Sequence, residues 1–245
     1  MTQYFDAHTH LQNIPDLPQA MTRASQAQVR GFICNATCEN DWGKVLQIAQ
    51  DYQGVYPALG VHPWYVESLK SGWEARLEAL LKAGPNVLLG EIGLDKCKPN
   101  LDLQEAVLRA ELELAFQYKR PVVVHCVHAW DRLLHIFKTM RGKMPPRLLS
   151  HSHHGDAALI AVLMSEYNAY FSYSPRFKDE KHIAVRACLK ATPVARLLIE
   201  TDCPDGASEP AAVVDLVSEM AAVTGLEENN LKQALFDNAK EFING

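Results

Sequence analysis

The stretch NVLLGEIGL, residues 86–94, shows the pattern that decides the fold of this 245-residue chain. It is short, mostly apolar, and reaches ionisable residues toward its C-terminal end. A run of this kind is typical of a strand that is buried on both faces of a parallel sheet. Seven further runs share these features, namely YFDAH, GFICNAT, VYPALGV, PVVVHC, RLLSH, AYFSYS and RLLIETD. The sequence therefore predicts eight strands.

Longer segments with helical spacing separate these runs. In residues 129–140, apolar side chains recur at i, i+4 and i+7, which places them on one helical face. Asp156 is a predicted cap for the helix after the sixth strand, and Ser208 for the helix after the eighth. A last helix is predicted over residues 228–243.

Eight strand–helix units in this chain amount to about 31 residues per unit, the size of one right-handed β–α repeat. We therefore predict an α/β fold, a single (β/α)8 TIM-like barrel with an extra C-terminal helix. Residues 1–245 are expected to form one domain, since no linker, longer repeat or low-complexity segment marks a second one. The alternative is an open, doubly wound sheet.

Composition and charge restrict the class of protein. The chain is 48% hydrophobic with a net charge of −5, so we do not expect a broadly basic nucleic-acid surface, whereas a local basic patch is compatible with this charge. It shows no secretory signal and no apolar run of the roughly 18 residues that a membrane span needs. Six scattered cysteines without a CxxC pair favour reduced thiols. We expect a cytoplasmic protein without membrane partners. A monomer is compatible with the sequence, which leaves the oligomeric state open.

Ionisable residues gather at the C-terminal ends of the predicted strands. In a barrel these ends meet on one face, where active sites form, whereas an open sheet spreads them along a line. The clustering therefore favours the barrel as well as a site. The residues concerned are Asp6, His8, His10, His62, Glu91, Asp95, His125, His151, Glu200 and Asp202.

The pattern at these strand ends predicts a metal centre. His8 and His10 point the same way, because side chains alternate along a strand with a period of two. Imidazole and carboxylate groups suit zinc, manganese and related divalent ions. The strand ends supply more ligands than one tetrahedral ion requires, so we predict two or more ions, with Zn, Mg and Mn all open. Glu91 is the predicted bridge, because each of its two oxygens can bind one ion.

The sequence allows two interpretations for several residues. His62 has either a role toward the substrate or plain packing beside Pro63. Asp95 belongs either to the site or to a turn. In SHSHHG, residues 150–155, His153 and His154 either contact substrate or are loop residues near solvent.

Six short motifs occur in order along the chain. They are Asp6-Ala-His8-Thr-His10, Gly60-Val-His62-Pro63, Gly90-Glu91-Ile-Gly93-Leu-Asp95, Pro121-Val-Val-Val-His125, His151-x-x-x-Gly155 and Glu200-Thr-Asp202-x-Pro204. Together they resemble the TatD family of metal-dependent hydrolases, within the amidohydrolase superfamily, through Asn238-Ala239-Lys240 in the last helix. The resemblance implies a TIM-like barrel, two or more divalent metals and phosphodiester hydrolysis, often as a deoxyribonuclease.

The resemblance also implies roles for individual residues. The implied metal ligands are His8, His10, Glu91, His125, His151 and Asp202. Glu200 would lie behind Asp202 as support. The family commonly carries an arginine two residues after its strand-5 histidine, where this chain has Val127. The predicted substrate-binding residues are His62, Lys96, His153 and Arg176.

The resulting hypothesis is a phosphodiesterase or deoxyribonuclease that uses a metal-activated hydroxide and acts on DNA or another phosphodiester. The predicted catalytic residues are Asp202, which accepts a proton, Glu91, which bridges the metals, and His62, which serves the leaving group. One alternative is an amidohydrolase that cleaves an amide, lactone or phosphomonoester of a small molecule, which the missing arginine favours. Another is a binding protein with a degenerate barrel, which the complete ligand set disfavours.

Overall fold

The computed structural model describes residues 3–245 and places eight parallel strands in one sheet, paired in chain order. The strands are β1 (Tyr4–Thr9), β2 (Val29–Asn35), β3 (Val55–Leu59), β4 (Leu88–Asp95), β5 (Val122–Val127), β6 (Leu148–Ser150), β7 (Ala169–Tyr173) and β8 (Leu197–Ile199). The last strand meets the first, because the Asp202 amide donates to the His8 carbonyl at 3.0 Å and the His10 amide to the Cys203 carbonyl at 2.8 Å. The predicted TIM-like barrel is thus confirmed, and the open sheet is wrong.

Helices connect the strands and cover the outside of the barrel. Within residues 3–245 they are α1 (Leu17–Gln26), α2 (Trp42–Asp51), α3 (Trp73–Ala83), α4 (Leu101–Gln117), α5 (Trp130–Thr139), α6 (Ala157–Tyr167), α7 (Ile183–Ala191), α8 (Val213–Thr224) and α9 (Glu228–Asn244). Asp156 caps α6 as predicted, accepting from the Ala158 amide at 2.9 Å. Ser208 does not cap α8, because a 3-10 turn over Pro210–Ala212 precedes that helix. In the described part of the chain, no helix combines the length and the apolar character that crossing a bilayer requires.

The C-terminal helix closes the N-terminal end of the barrel. Phe242 of α9 packs edge-on against Tyr170 of β7, with ring centroids 5.7 Å apart. Strand side chains complete this apolar cluster, which we term the lower plug; they are Phe5, Ala7, Ile33, Ala58, Leu88, Val123, Leu149 and Leu198. Arg147 donates from Nε to the Phe242 carbonyl at 2.6 Å, which satisfies an acceptor at the helix end.

The opposite end of the barrel carries the buried polar residues. Glycine at position 93 brings two of its strands together, because a Cβ there would lie only 1.9 Å from the His125 carbonyl oxygen. Its φ of +149° is also a conformation that side chains disfavour. The close approach of β4 to β5 sets Glu91 beside His125, and the site is built from this pair.

Candidate metal centre

The carboxylate of Glu91 lies between two groups of histidine nitrogens. Its Oε2 is 3.2 Å from His8 Nε2 and 3.5 Å from His10 Nε2. Its Oε1 is 2.9 Å from both His125 Nδ1 and His151 Nε2. One carboxylate thus presents a separate oxygen to each group, which is the arrangement that a bridging ligand requires.

The carboxylate of Asp202 belongs to the first of these groups. Its Oδ1 is 3.6 Å from His8 Nε2 and 3.7 Å from His10 Nε2. The residue follows β8 with a φ of 50°, a left-handed conformation that aspartate tolerates better than most residues. Its side chain is 24% exposed, whereas that of His8 is fully buried. Asp202 is therefore the member of this group that reaches the open side of the site.

The donor atoms fit divalent cations. Three groups of residues each place their ligand atoms within 4.8 Å of one another. The groups are His8–His151–Asp202, His8–His10–Glu91 and His62–Glu91–His125. His8 Nε2 faces His10 Nε2 at 3.2 Å, and His125 Nδ1 faces His151 Nε2 at 3.1 Å. Nitrogens that both present lone pairs at such distances repel each other, and a cation that binds both, in place of a proton, removes this repulsion.

Burial and close neighbours set the protonation of this cluster. Burial, with the nearby His151, lowers the pKa of His8 to about 4. Although burial opposes it, attraction to His151, His62 and His8 holds the pKa of Glu91 well below its ordinary value. Against burial again, Glu91 and Glu200 hold the pKa of His151 well above its ordinary value. An ionised Glu91 and a neutral His8 are the forms that bind cations.

Hydrogen bonds behind the cluster orient two of its rings. His10 Nδ1 donates to the Asn35 carbonyl at 2.8 Å, which leaves the lone pair on Nε2. His151 Nδ1 lies 3.4 Å from Glu200 Oε1, which also accepts from the Ser152 amide at 2.8 Å. Glu200 therefore supports His151. The expectation that it supports Asp202 is wrong, because the carboxylate turns toward β6 and β7.

A backbone amide sets the tautomer of the His62 ring. Its Nδ1 accepts a hydrogen bond from the Trp64 amide at 3.2 Å, so the neutral ring carries its proton on Nε2. That Nε2 is 3.3 Å from Glu91 Oε1. Burial lowers the pKa of His62 to about 4, which keeps the ring neutral. This geometry favours a donor over a ligand at His62.

A cavity of about 1050 Å³ opens above the cluster. Of the predicted ligands His8 alone does not line it, since it is buried beneath. The predicted site residues that do line it are His10, His62, Glu91, His125, His151, Arg176 and Asp202.

His153, a predicted substrate-binding residue, does not line this cavity. It is 1% exposed, with its ring 4.9 Å from that of Phe171 and 5.2 Å from that of Trp130. Burial lowers its pKa to about 3. His154 lines the cavity instead. The left-handed Ser152, with φ 41°, turns the chain here, so the strand's alternation does not extend past β6.

Lys96, another predicted substrate-binding residue, also does not line the cavity. Unlike His153, it is exposed. Lys98 comes closer, because its ammonium lies 4.1 Å from the ring centre of Trp64, which does line the cavity. No sequence pattern marked Trp64, Tyr65 or Lys181, which also line the cavity. Trp64 and Tyr65 lie in the short 3-10 helix Pro63–Ser68 and Lys181 lies in a turn after β7, and neither segment is long enough for a periodic spacing to mark a residue as facing the site.

Comparisons with known proteins agree with this geometry. A sequence model of the family described as TatD related DNase matches residues 5–244. The 3'-5' ssDNA/RNA exonuclease TatD of Edwardsiella piscicida is 30% identical over 245 residues, covering 93% of each chain. An uncharacterized metal-dependent hydrolase, YjjV of Escherichia coli (strain K12), is 30% identical over 210 residues, covering 83% of this chain and 80% of the relative. The crystal structure of YjjV superposes with a TM-score of 0.91 at 26% identity, covering 100% of this chain and 99% of that chain.

Proposed function

Because this chain belongs to the TatD related DNase family, we propose that it is a metal-dependent hydrolase that cleaves phosphodiester bonds in nucleic acid. The observation that carries the proposal is the placement of Glu91, whose two oxygens face separate histidine groups at 2.9–3.5 Å. Paired metal sites of this kind stabilise both the attacking and the leaving oxygen of an in-line displacement.

The donor set supports two or more divalent ions, with Zn²⁺, Mg²⁺ and Mn²⁺ as candidates. One ion would be held by His8, His10, Asp202 and Glu91. A second would be held by His125, His151 and Glu91. His62 is left out of both sets, because its Nε2 carries the proton.

The bound ions would polarise a phosphoryl oxygen and lower the pKa of water from 15.7 to about 7. The chain's own residues then move the protons. The partly exposed carboxylate of Asp202 accepts a proton from the attacking water. His62, whose neutral ring keeps its N–H on Nε2 because Nδ1 accepts from the Trp64 amide, donates a hydrogen bond that stabilises the leaving oxygen. Glu200 holds the His151 ring in place through Nδ1.

The test is hydrolysis of end-labelled single-stranded DNA with Mg²⁺, Mn²⁺ or Zn²⁺ and with a chelator, by the wild-type protein and Asp202→Asn. We expect metal-dependent cleavage that falls about 10²–10⁴-fold in the variant, the range for loss of a general base. Asp205→Asn is the matched control, since Asp205 lines the same cavity outside the histidine cluster.

Full activity of Asp202→Asn would overturn its role. Absence of cleavage by folded, metal-loaded wild-type protein would overturn the nuclease proposal. It would favour hydrolysis of an amide, lactone or phosphomonoester of a small molecule.

We also propose a single domain and a cytoplasmic location. The extent of the family match, residues 5–244, supports a single hydrolase domain over residues 1–245. The six cysteines are all free, which supports a reducing, cytoplasmic location.

A further inference from the structure

Two large aromatic side chains line the cavity and are exposed. They are Trp64, 53% exposed, and Tyr65, 40% exposed, in the 3-10 helix Pro63–Ser68 that follows β3. Trp64 Nε1 donates to Asp95 Oδ2 at 2.6 Å, which holds the indole in one orientation. An exposed ring that is already oriented is a surface on which a flat group can stack.

Two cations line the cavity after β7. Arg176 belongs to the 3-10 helix Pro175–Lys178, which the buried Phe177 anchors, and Lys181 follows shortly after. Within residues 3–245, neither has a carboxylate at salt-bridge distance, whereas Lys178 pairs with Glu219 at 2.8 Å. Cations left without a carboxylate at the mouth of a site attract anionic groups, and the arginine fork suits phosphate.

The strand order sets these two features opposite each other. In a barrel paired in the order β1 to β8, strands β3 and β7 are separated by four positions, half of the circumference. Glu91 and its histidines lie between them. A ligand that reaches both sides must therefore pass over the metal cluster.

We propose that a single strand of nucleic acid crosses the cavity from the β3 side to the β7 side, with one base stacked on Trp64 and a backbone phosphate held by Arg176 and Lys181. This rests on the proposed function, since the scissile phosphodiester then lies over Glu91. A duplex has its bases already stacked and paired, so it offers none to Trp64. A small-molecule substrate would reach only one of the two sides.

The first measurement is KM and kcat for a 12-nucleotide single-stranded DNA, using the metal-loaded protein and Trp64→Ala. We expect KM to rise roughly 5- to 100-fold with little change in kcat, as for loss of one base–aromatic stack. The ratio of the two KM values should fall toward one on a strand whose bases are removed at the stacking position. Phe116→Ala, which removes an exposed ring on α4, is the matched control.

Trp64→Phe separates stacking from a structural role, because phenylalanine keeps a ring but loses the bond to Asp95. A KM that returns toward the wild-type value supports the stack. A KM as high as that of Trp64→Ala means that Trp64 acts only by positioning Asp95, and overturns the proposal.

The cationic side is tested through salt. In Arg176→Ala/Lys181→Ala, the slope of log affinity against log salt should fall by about 0.7, since each neutralised phosphate on a single strand contributes about 0.7 and these two side chains share one phosphate. Lys178→Ala is the matched control, because that lysine is already paired with Glu219. An unchanged slope in the double variant overturns the phosphate contact.

Binding separates this proposal from the proposed function. Fluorescence anisotropy of a labelled, hydrolysis-resistant phosphorothioate 12-mer reports the strand without any turnover. The two variants compared are Trp64→Ala and Arg176→Ala/Lys181→Ala. If the wild-type protein cleaves no DNA yet binds this strand, and both of these variants bind it more weakly, the nuclease proposal fails and the crossing strand is supported. If cleavage occurs and neither variant binds more weakly, the proposed function is retained and the crossing strand is overturned.

Discussion

The lower plug is filled by aromatic and aliphatic side chains such as Phe242 and Tyr170, whereas the opposite end of the same barrel buries His8, Glu91 and His151. Polar groups near the plug are paired, as where the Asn238 side chain donates to the Leu197 carbonyl at 2.9 Å. At the other end, ring nitrogens face one another, with His8 Nε2 3.2 Å from His10 Nε2 and His125 Nδ1 3.1 Å from His151 Nε2.

The difference separates stability from function. Burial of apolar surface stabilises the fold, whereas burial of ionisable groups costs free energy unless partners offset it. The polar end therefore depends on cations for its partners, and the lower plug does not. Changes at the lower end should act on unfolding, and changes at the polar end on metal binding.

The largest effect on unfolding should come from Phe242→Ala. Removing this ring leaves a cavity in the lower plug, so we expect a loss of about 3–5 kcal/mol of unfolding free energy. Chemical denaturation measures this loss, and metal content should stay at the wild-type value. Phe116→Ala, at an exposed ring, should change the unfolding free energy by less than about 0.5 kcal/mol. A fall in metal content of folded Phe242→Ala would mean that the two ends are coupled.

Glu91→Gln should act at the other end. Outer partners of metal ligands typically contribute about 10- to 100-fold in metal affinity, so loss of the shared carboxylate should cost at least about 100-fold. Elemental analysis after dialysis measures the metal content. Glu113→Gln, on the exposed face of α4, is the control. Wild-type stoichiometry in Glu91→Gln would exclude a bridging role.

Glu200→Gln should have a smaller effect of the same kind. It weakens the partner of His151 Nδ1 without removing a direct ligand, so we expect metal affinity to fall about 10- to 100-fold. Metal titration monitored by calorimetry gives the affinity. Equal affinity in wild-type protein and variant would show that the 3.4 Å contact does not orient the ring.

Glu111 is a buried carboxyl that needs no cation, because it stays protonated in the folded state. Burial raises the pKa of this α4 carboxyl well above its ordinary value, although it accepts from the Val61 amide at 2.7 Å. The folded state thus keeps a proton that the unfolded state releases above pH 4.5, and stability falls as pH rises from there toward the folded pKa.

Glu111→Gln should remove this loss. The stability of the variant relative to wild type should improve from pH 5 to pH 8, by about 1.4 kcal/mol per unit of pKa shift. Urea denaturation at both pH values checks this, with Glu113→Gln as the control on the same helix. A pH-independent difference would show that Glu111 is ionised in the fold.

Local patterns in the sequence were sufficient for the barrel and for the polar strand ends. Each strand reads as a short apolar run because it is buried on both faces of the sheet. The period of two along a strand places His8 and His10 on one side. The convergence of strand ends then follows from the parallel sheet.

Only the tertiary structure decided which loop residues face the cavity. It turned His153 into the core and His154 toward the cavity, placed Glu200 behind His151, and brought Lys98 rather than Lys96 to Trp64. These outcomes depend on left-handed turns and on contacts between strands far apart in the chain. Such contacts leave no period in the sequence, because each is set by the packing of the whole barrel.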